Sequence, residues 1–181
     1  MNVQSTALPG VLILEPRVFA DARGFFMESY NKRAFEAEAG ITEDFVQDNH
    51  SRSVKGTLRG LHYQIRQPQG KLVRAIRGRI WDVALDVRRS SPTFGKSVGV
   101  ELSEDNKRML WVPVGFAHGF LVTTDIAEVV YKTTDFYAPQ QERAVAWNDR
   151  DAAIEWPLDG EPLLSDKDAK APRLRDADLF D

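Results

Sequence analysis

Apolar and polar residues alternate in short runs along most of this chain. The alternation is clearest where Trp81, Val83, Leu85 and Val87 interleave with Asp82, Ala84, Asp86 and Arg88. A period of two marks a β-strand, whose successive side chains leave on opposite faces. The same reading predicts strands at 11–14, in the aromatic run that follows the turn at Asp21 to Gly24, at 45–50, at 57–64 and at 71–76, then at 98–102, 108–112, 119–123 and 127–134. One short N-terminal helix is predicted over 31–39, with Asn31 as its N-cap and Gly40 just past its end. Short strands punctuated by Gly, Pro and Asp predict an all-β sandwich or barrel, best read as a jelly roll. Beyond about Pro139 the pattern breaks. The stretch 161–181 is charged and interrupted by proline, and it is either a tail packed over the barrel mouth, partly helical, or a loosely ordered one. Its Ser165, Asp166, Lys167, Asp168 run reads locally as a solvated face.

With 181 residues there is enough chain for one core and too little for two, so residues 1–181 are expected to form a single domain whose tail begins near 160. A hydrophobic content of 43% with 28% charged residues is ordinary for a soluble protein. The net charge of −3 argues against nucleic acid as a partner, so an anionic ligand has to be met by a local cluster of cations. Cysteine is absent, which excludes disulfides and thiolate metal sites and fits a reducing compartment. The first ten residues have neither a basic start nor an apolar stretch, and no run reaches the length of a membrane span. A cytoplasmic location is therefore expected, with no membrane partner.

The chemistry gathers around Thr57, Leu58, Arg59, Gly60, Leu61, His62, Tyr63 and Gln64. In a regular strand Arg59, Leu61 and Tyr63 share one face, and Leu58, Gly60, His62 and Gln64 the other. A histidine beside a glycine leaves room for a ligand, although a lone strand histidine is more often a structural one bonded to a carbonyl. Small barrels that enclose a cavity bind small ligands there. The run Pro113, Val114, Gly115, Phe116, Ala117, His118, together with Gly60 and His62, resembles the signatures of the cupins, jelly rolls that hold a metal with several histidines and a glutamate. Here the position two beyond His62 is Gln64, and His50, His62 and His118 are the only histidines. A zinc or ferrous site wants three or four ligands, so the expectation is a cupin barrel without metal.

A closer resemblance covers nearly the whole chain. Residues 21–28, 45–51, 58–64, 68–74, 113–120, 131–139 and 164–172 match, in order, the bacterial dTDP-4-dehydrorhamnose 3,5-epimerases. The resemblance implies a homodimeric jelly roll that needs no cofactor. Its substrate would be dTDP-4-dehydro-6-deoxy-D-glucose, inverted at C3 and C5 to dTDP-4-dehydro-L-rhamnose for dTDP-L-rhamnose biosynthesis.

Inverting a carbon beside a ketone requires a base on one face, a group to hold the enolate oxygen and an acid on the other face. His62 suits the base, since imidazole titrates near neutrality and a carboxylate on its second nitrogen would fix the tautomer. By resemblance that carboxylate is Asp168 from the tail, with Asp82 as a second candidate. Tyr131 matches the family's proton donor and Lys71 its lysine near the C4 oxygen. For the nucleotide, Arg59, Arg23 and Lys167 are candidates for the diphosphate, because a guanidinium meets two phosphate oxygens at once. Gln47 and Asn49 can offer amides from one strand face. Tyr137 matches the position that stacks on thymine, Glu28, His118 and Glu142 fall on binding positions, and Phe26 is a candidate wall of the pocket. Three other readings stay open: an epimerase acting at C3 or C5 alone, a metal-dependent cupin enzyme, and a non-catalytic module that binds sugar nucleotides.

Overall fold

A computed structural model describes all 181 residues of the chain. The strands run β1 (Asn2–Ser5), β2 (Leu12–Glu15), β3 (Val18–Asp21), β4 (Gly24–Met27), β5 (Gln47–Val54), β6 (Leu58–Gln64), β7 (Lys71–Arg77), β8 (Arg79–Asp86), β9 (Ser97–Ser103), β10 (Met109–Val112), β11 (Phe116–Val122), β12 (Ile126–Thr133) and β13 (Glu142–Ala144). They form two antiparallel sheets, one ordered β1-β2-β10-β7-β12-β5 and the other β13-β6-β11-β8-β9. The crossing order of strands near and far in sequence is that of a jelly roll. The β3–β4 hairpin stands apart as a sheet of its own.

The core lies between the two large sheets. Val73, Leu110, Val112 and Val129 from one sheet pack on Ile80, Ala84, Val100 and Phe120 from the other, all at or below 6% exposure. Burying a side chain of this size contributes about 1.5–3 kcal/mol, so this layer is the main support of the barrel. The outer faces are covered as well. The predicted helix forms as α1 (Lys32–Ala34), which continues through a π-helical turn at Phe35–Ala39. The Asn31 side chain caps it and Gly40 ends it at φ +67°. Phe35 and Ile41 then pack with Leu72 and Trp111 on the outer face of the six-stranded sheet.

The tail does not float. Val145, Ala152, Leu174, Ala177 and Leu179 cover Leu61, Tyr63, Val83 and Leu85 on the outer face of the five-stranded sheet. This is why β8, whose alternation was so clear in the sequence, is buried on both faces, Asp82 and Asp86 included. Only the segment from Leu163 to Asp168 reaches the barrel mouth. There Leu163 exchanges backbone hydrogen bonds with Gly56 and Leu58 at 2.8 and 3.0 Å. It leads into α2 (Asp166–Ala169), capped by Ser165. No helix is long and apolar enough to cross a membrane.

Candidate active site

The regular alternation expected for β6 is interrupted at the residues that matter most. In its ladder with β11, His62 faces His118 while Arg59 faces Phe120, so two steps along β11 span three along β6. One extra residue in a strand is a bulge, and it reverses the facing of everything beyond it. Arg59, expected opposite His62, consequently lines the same cavity. The bulge rests on two glycines: Gly60 has φ +126°, and a Cβ there would stand 2.5 Å from the Gly119 Cα. Neither position has room for a larger residue.

That cavity, of about 420 Å³, is lined by His62, Lys71, His118, Tyr131 and Asp168, with Arg59 and Lys167 beside them. A second cavity of about 300 Å³ shares His62, Lys71 and Tyr131 and extends to Gln47, Asn49, Tyr137 and Glu142. The three shared residues come from both sheets, His62 from β6 and Lys71 and Tyr131 from β7 and β12. A ligand lying across the junction is therefore met by an imidazole on one wall and by a phenol and an ammonium on the other.

His62 Nε2 lies 2.5 Å from Asp168 Oδ1. A carboxylate only accepts, so in the neutral ring Nε2 carries the proton and Nδ1 is the nitrogen left to take one. Asp168 is 4% exposed. Burial pushes its acid strength down, but the hydrogen bond and charge of His62 outweigh this and hold the carboxyl below its usual range. Its own backbone N–H donates to Ser165 Oγ at 3.1 Å, so the capping serine sets the orientation of α2 and with it the aspartate. In the run that read as a solvated face, Ser165, Asp166 and Lys167 are indeed exposed, and only Asp168 is buried, where it docks on His62.

Asp82 is not a partner of His62. The β11–β8 register sets His118 and Phe120 against Ala84 and Asp82, and Asp82 Oδ1 accepts from His118 Nε2 at 2.8 Å. Its Oδ2 is buried without a partner. Lys71 Nζ donates to the His62 carbonyl at 3.2 Å. Burial lowers the Lys71 pKa to about 8, against the opposing pull of Asp82 and then Glu142. The Tyr131 phenol is pushed up, chiefly by burial, and stays protonated at neutral pH.

At the outer end, Glu142 ties two further residues together. It accepts from Lys167 Nζ at 2.6 Å and from the Tyr137 hydroxyl at 3.0 Å. Burial raises the Glu142 pKa, but these two hydrogen bonds prevail and hold it below the usual value. Gln47 donates to Asn49 Oδ1 and accepts from the Tyr137 N–H, each at 3.0 Å. Arg59 is steadied by Ser53, whose Oγ accepts from Nε at 3.1 Å, a contact with no signal in the sequence. Ser165 could have been found, because Ser-x-x-Asp is a capping spacing.

Three of the expected residues are elsewhere. Arg23 and Phe26 sit on the β3–β4 hairpin, where Phe26 is 69% exposed and Arg23 pairs with its neighbour Asp21 at 2.6 Å. Glu28 accepts from the cap residue Asn31 at 3.0 Å. The chain does not bring these three to its own cavity. Nor do three or more histidine, aspartate and glutamate side chains converge as a metal site would require.

A family model described as dTDP-4-dehydrorhamnose 3,5-epimerase matches residues 5–176. The dTDP-4-dehydrorhamnose 3,5-epimerase of Pseudomonas aeruginosa is 59% identical over 180 residues, 99% of each chain. A dTDP-6-deoxy-D-glucose-3,5-epimerase from Legionella pneumophila, solved in complex with dTDP-4-keto-L-rhamnose, is similar at a TM-score of 0.97 and 49% identity, over 99% of this chain and 97% of that one. A 3'-monoepimerase from Streptomyces bikiniensis, in complex with dTDP-quinovose, is similar at a TM-score of 0.88 and 36% identity, over 94% and 86% of the two chains.

Proposed function

We infer from one premise, that the chain belongs to the dTDP-4-dehydrorhamnose 3,5-epimerase family, that it inverts C3 and C5 of dTDP-4-dehydro-6-deoxy-D-glucose to give dTDP-4-dehydro-L-rhamnose. The observation that carries this reading is the placement of His62, backed by Asp168, and Tyr131 on opposite sheets around one cavity. The C4 ketone acidifies the hydrogens on C3 and C5. His62 Nδ1 removes one of them, and the charge that forms on the imidazole is matched by Asp168. The electrons move onto the C4 oxygen, where the Lys71 ammonium offsets the developing charge. Tyr131 returns a proton from the other wall, which leaves the carbon inverted. The same sequence serves the second carbon once His62 has lost its proton to solvent and the Tyr131 phenolate has regained one from it.

The cations of the larger cavity, Arg59 and Lys167, suit the diphosphate, and the Gln47, Asn49, Tyr137 and Glu142 end suits the base, with Tyr137 as its stacking plane. A homodimer belongs to the same proposal. The β3–β4 hairpin presents Phe19, Phe25 and Phe26 at 50% exposure or more, and an apolar hairpin of this kind asks for a cover. A second copy receiving it would gain Arg23, Phe26 and the nearby Glu28. Light scattering on the purified protein tests this, with a mass of two chains expected. Action on a soluble nucleotide sugar in the cytoplasm completes the reading.

The deciding experiment is proton NMR of dTDP-4-dehydro-6-deoxy-D-glucose incubated with the protein in D2O. Loss of both the C3 and the C5 signals, with the L-rhamno product trapped by a reductase, is expected. Loss of one signal alone would assign the chain to the single-site epimerases, and persistence of both would overturn the reading.

A further inference from the structure

The loop that carries Tyr137 is held in an unusual way. After β12 the backbone of Asp135, Phe136 and Tyr137 joins neither sheet, and glutamine side chains take the place of a strand partner. Gln69 Nε2 donates to the Asp135 carbonyl at 2.8 Å. Gln47 Oε1 accepts from the Tyr137 N–H at 3.0 Å. Gln64 holds the loop on both sides of Tyr137, donating to the Phe136 carbonyl at 3.2 Å and accepting from the Ala138 N–H at 2.8 Å. Its other amide hydrogen goes to the Gln67 carbonyl at 2.6 Å. An amide offers two donors and an acceptor, and here both donors and the acceptor are in use on a side chain that is 3% exposed. Leucine cannot supply these bonds and glutamate has no donor. Phe136 and Tyr137, by contrast, stand 60% and 54% exposed. Gln64 is the buried member of this frame, Gln47 and Gln69 being half-buried, and what the frame presents is an open aromatic surface.

We propose that Gln64 is a positioning residue for nucleotide recognition, which sets the affinity for the base by fixing Tyr137 from both sides. The proposal rests on the reading of Tyr137 as the base-stacking plane. Stacking of a base on an aromatic side chain contributes enough that its removal costs affinity about tenfold or more. A loop freed from Gln64 has to order itself before it can stack, and it loses a large part of that gain.

Calorimetry with dTDP and with inorganic pyrophosphate tests this on wild type, Gln64→Leu, Tyr137→Ala and the double variant. The expected result for Gln64→Leu is about tenfold weaker binding of dTDP with pyrophosphate affinity within about twofold, and a KM that rises while kcat changes by less than about twofold. In the Tyr137→Ala background the same change is expected to cost little further affinity for dTDP. Gln69→Leu removes a single bond from the frame and gives the same pattern at about threefold, which keeps the test usable if Gln64→Leu folds poorly. Unchanged dTDP affinity in either glutamine variant, equal loss of dTDP and pyrophosphate, or full additivity with Tyr137→Ala would overturn the proposal alone. Failure of the wild type to bind dTDP would overturn the parent reading as well.

Discussion

His62 and His118 face each other in the ladder between β6 and β11, and each turns Nε2 to an aspartate, Asp168 at 2.5 Å and Asp82 at 2.8 Å. Residue types and geometry are nearly the same, but the surroundings differ. The His62 side chain keeps 25% exposure toward the cavity, and its aspartate arrives from a tail helix 106 residues away in sequence. The His118 side chain is 7% exposed, and Asp82 is a fully buried strand residue with one oxygen unpartnered. An imidazole at the cavity wall, with a carboxylate behind it and a free nitrogen in front, is built to take a proton. His118 borders the same cavity but is almost closed to it, so its pair with Asp82 is placed to shape the wall. The Asp82 charge also acts on Lys71, raising its proton affinity against the burial that lowers it.

The comparison can be broken most severely at His62. His62→Asn should lower turnover by about 10³-fold or more, with a melting temperature within a few degrees of wild type. Next comes Asp168→Asn, expected to cost about 10²-fold in kcat with little change in KM, because an amide that donates to Nε2 favours the wrong tautomer. The smallest effect is expected at Asp82 and shows in the pH profile. Lys71 has a pKa of about 8, so its ammonium is present below that pH and is lost as pH rises through it. Activity should therefore fall above about pH 8 for the wild type. Asp82 favours the charged lysine, so Asp82→Asn should move this alkaline limb to lower pH while the acid side stays in place. A limb that does not move would detach Asp82 from Lys71.

The same contrast explains what could be read from the residues alone. Strand periodicity, the Asn31 cap and the Gly40 stop are local signals, and the barrel and its helix follow from them. The facing of Arg59 does not, since the bulge depends on Gly60 meeting Gly119 across a ladder that only the folded sheet creates. The pairing of Asp82 with His118 rather than His62 is likewise a matter of register between β8 and β11. Asp168 was legible only through family resemblance, because burial of a charged tail comes from tertiary docking. Arg23 and Phe26 were candidates by their chemistry and Glu28 by resemblance, yet a single chain leaves all three outside its own cavity.

The most direct test of the division between the two pairs is solvent deuterium exchange at C3 and C5 of dTDP-4-dehydro-6-deoxy-D-glucose, measured in parallel with His62→Asn and His118→Asn. The account predicts no exchange at either carbon with the first variant, and with the second continued exchange at both carbons at a reduced rate and a raised KM. Exchange at the wild-type rate in His62→Asn, or equal loss in the two variants, would contradict it.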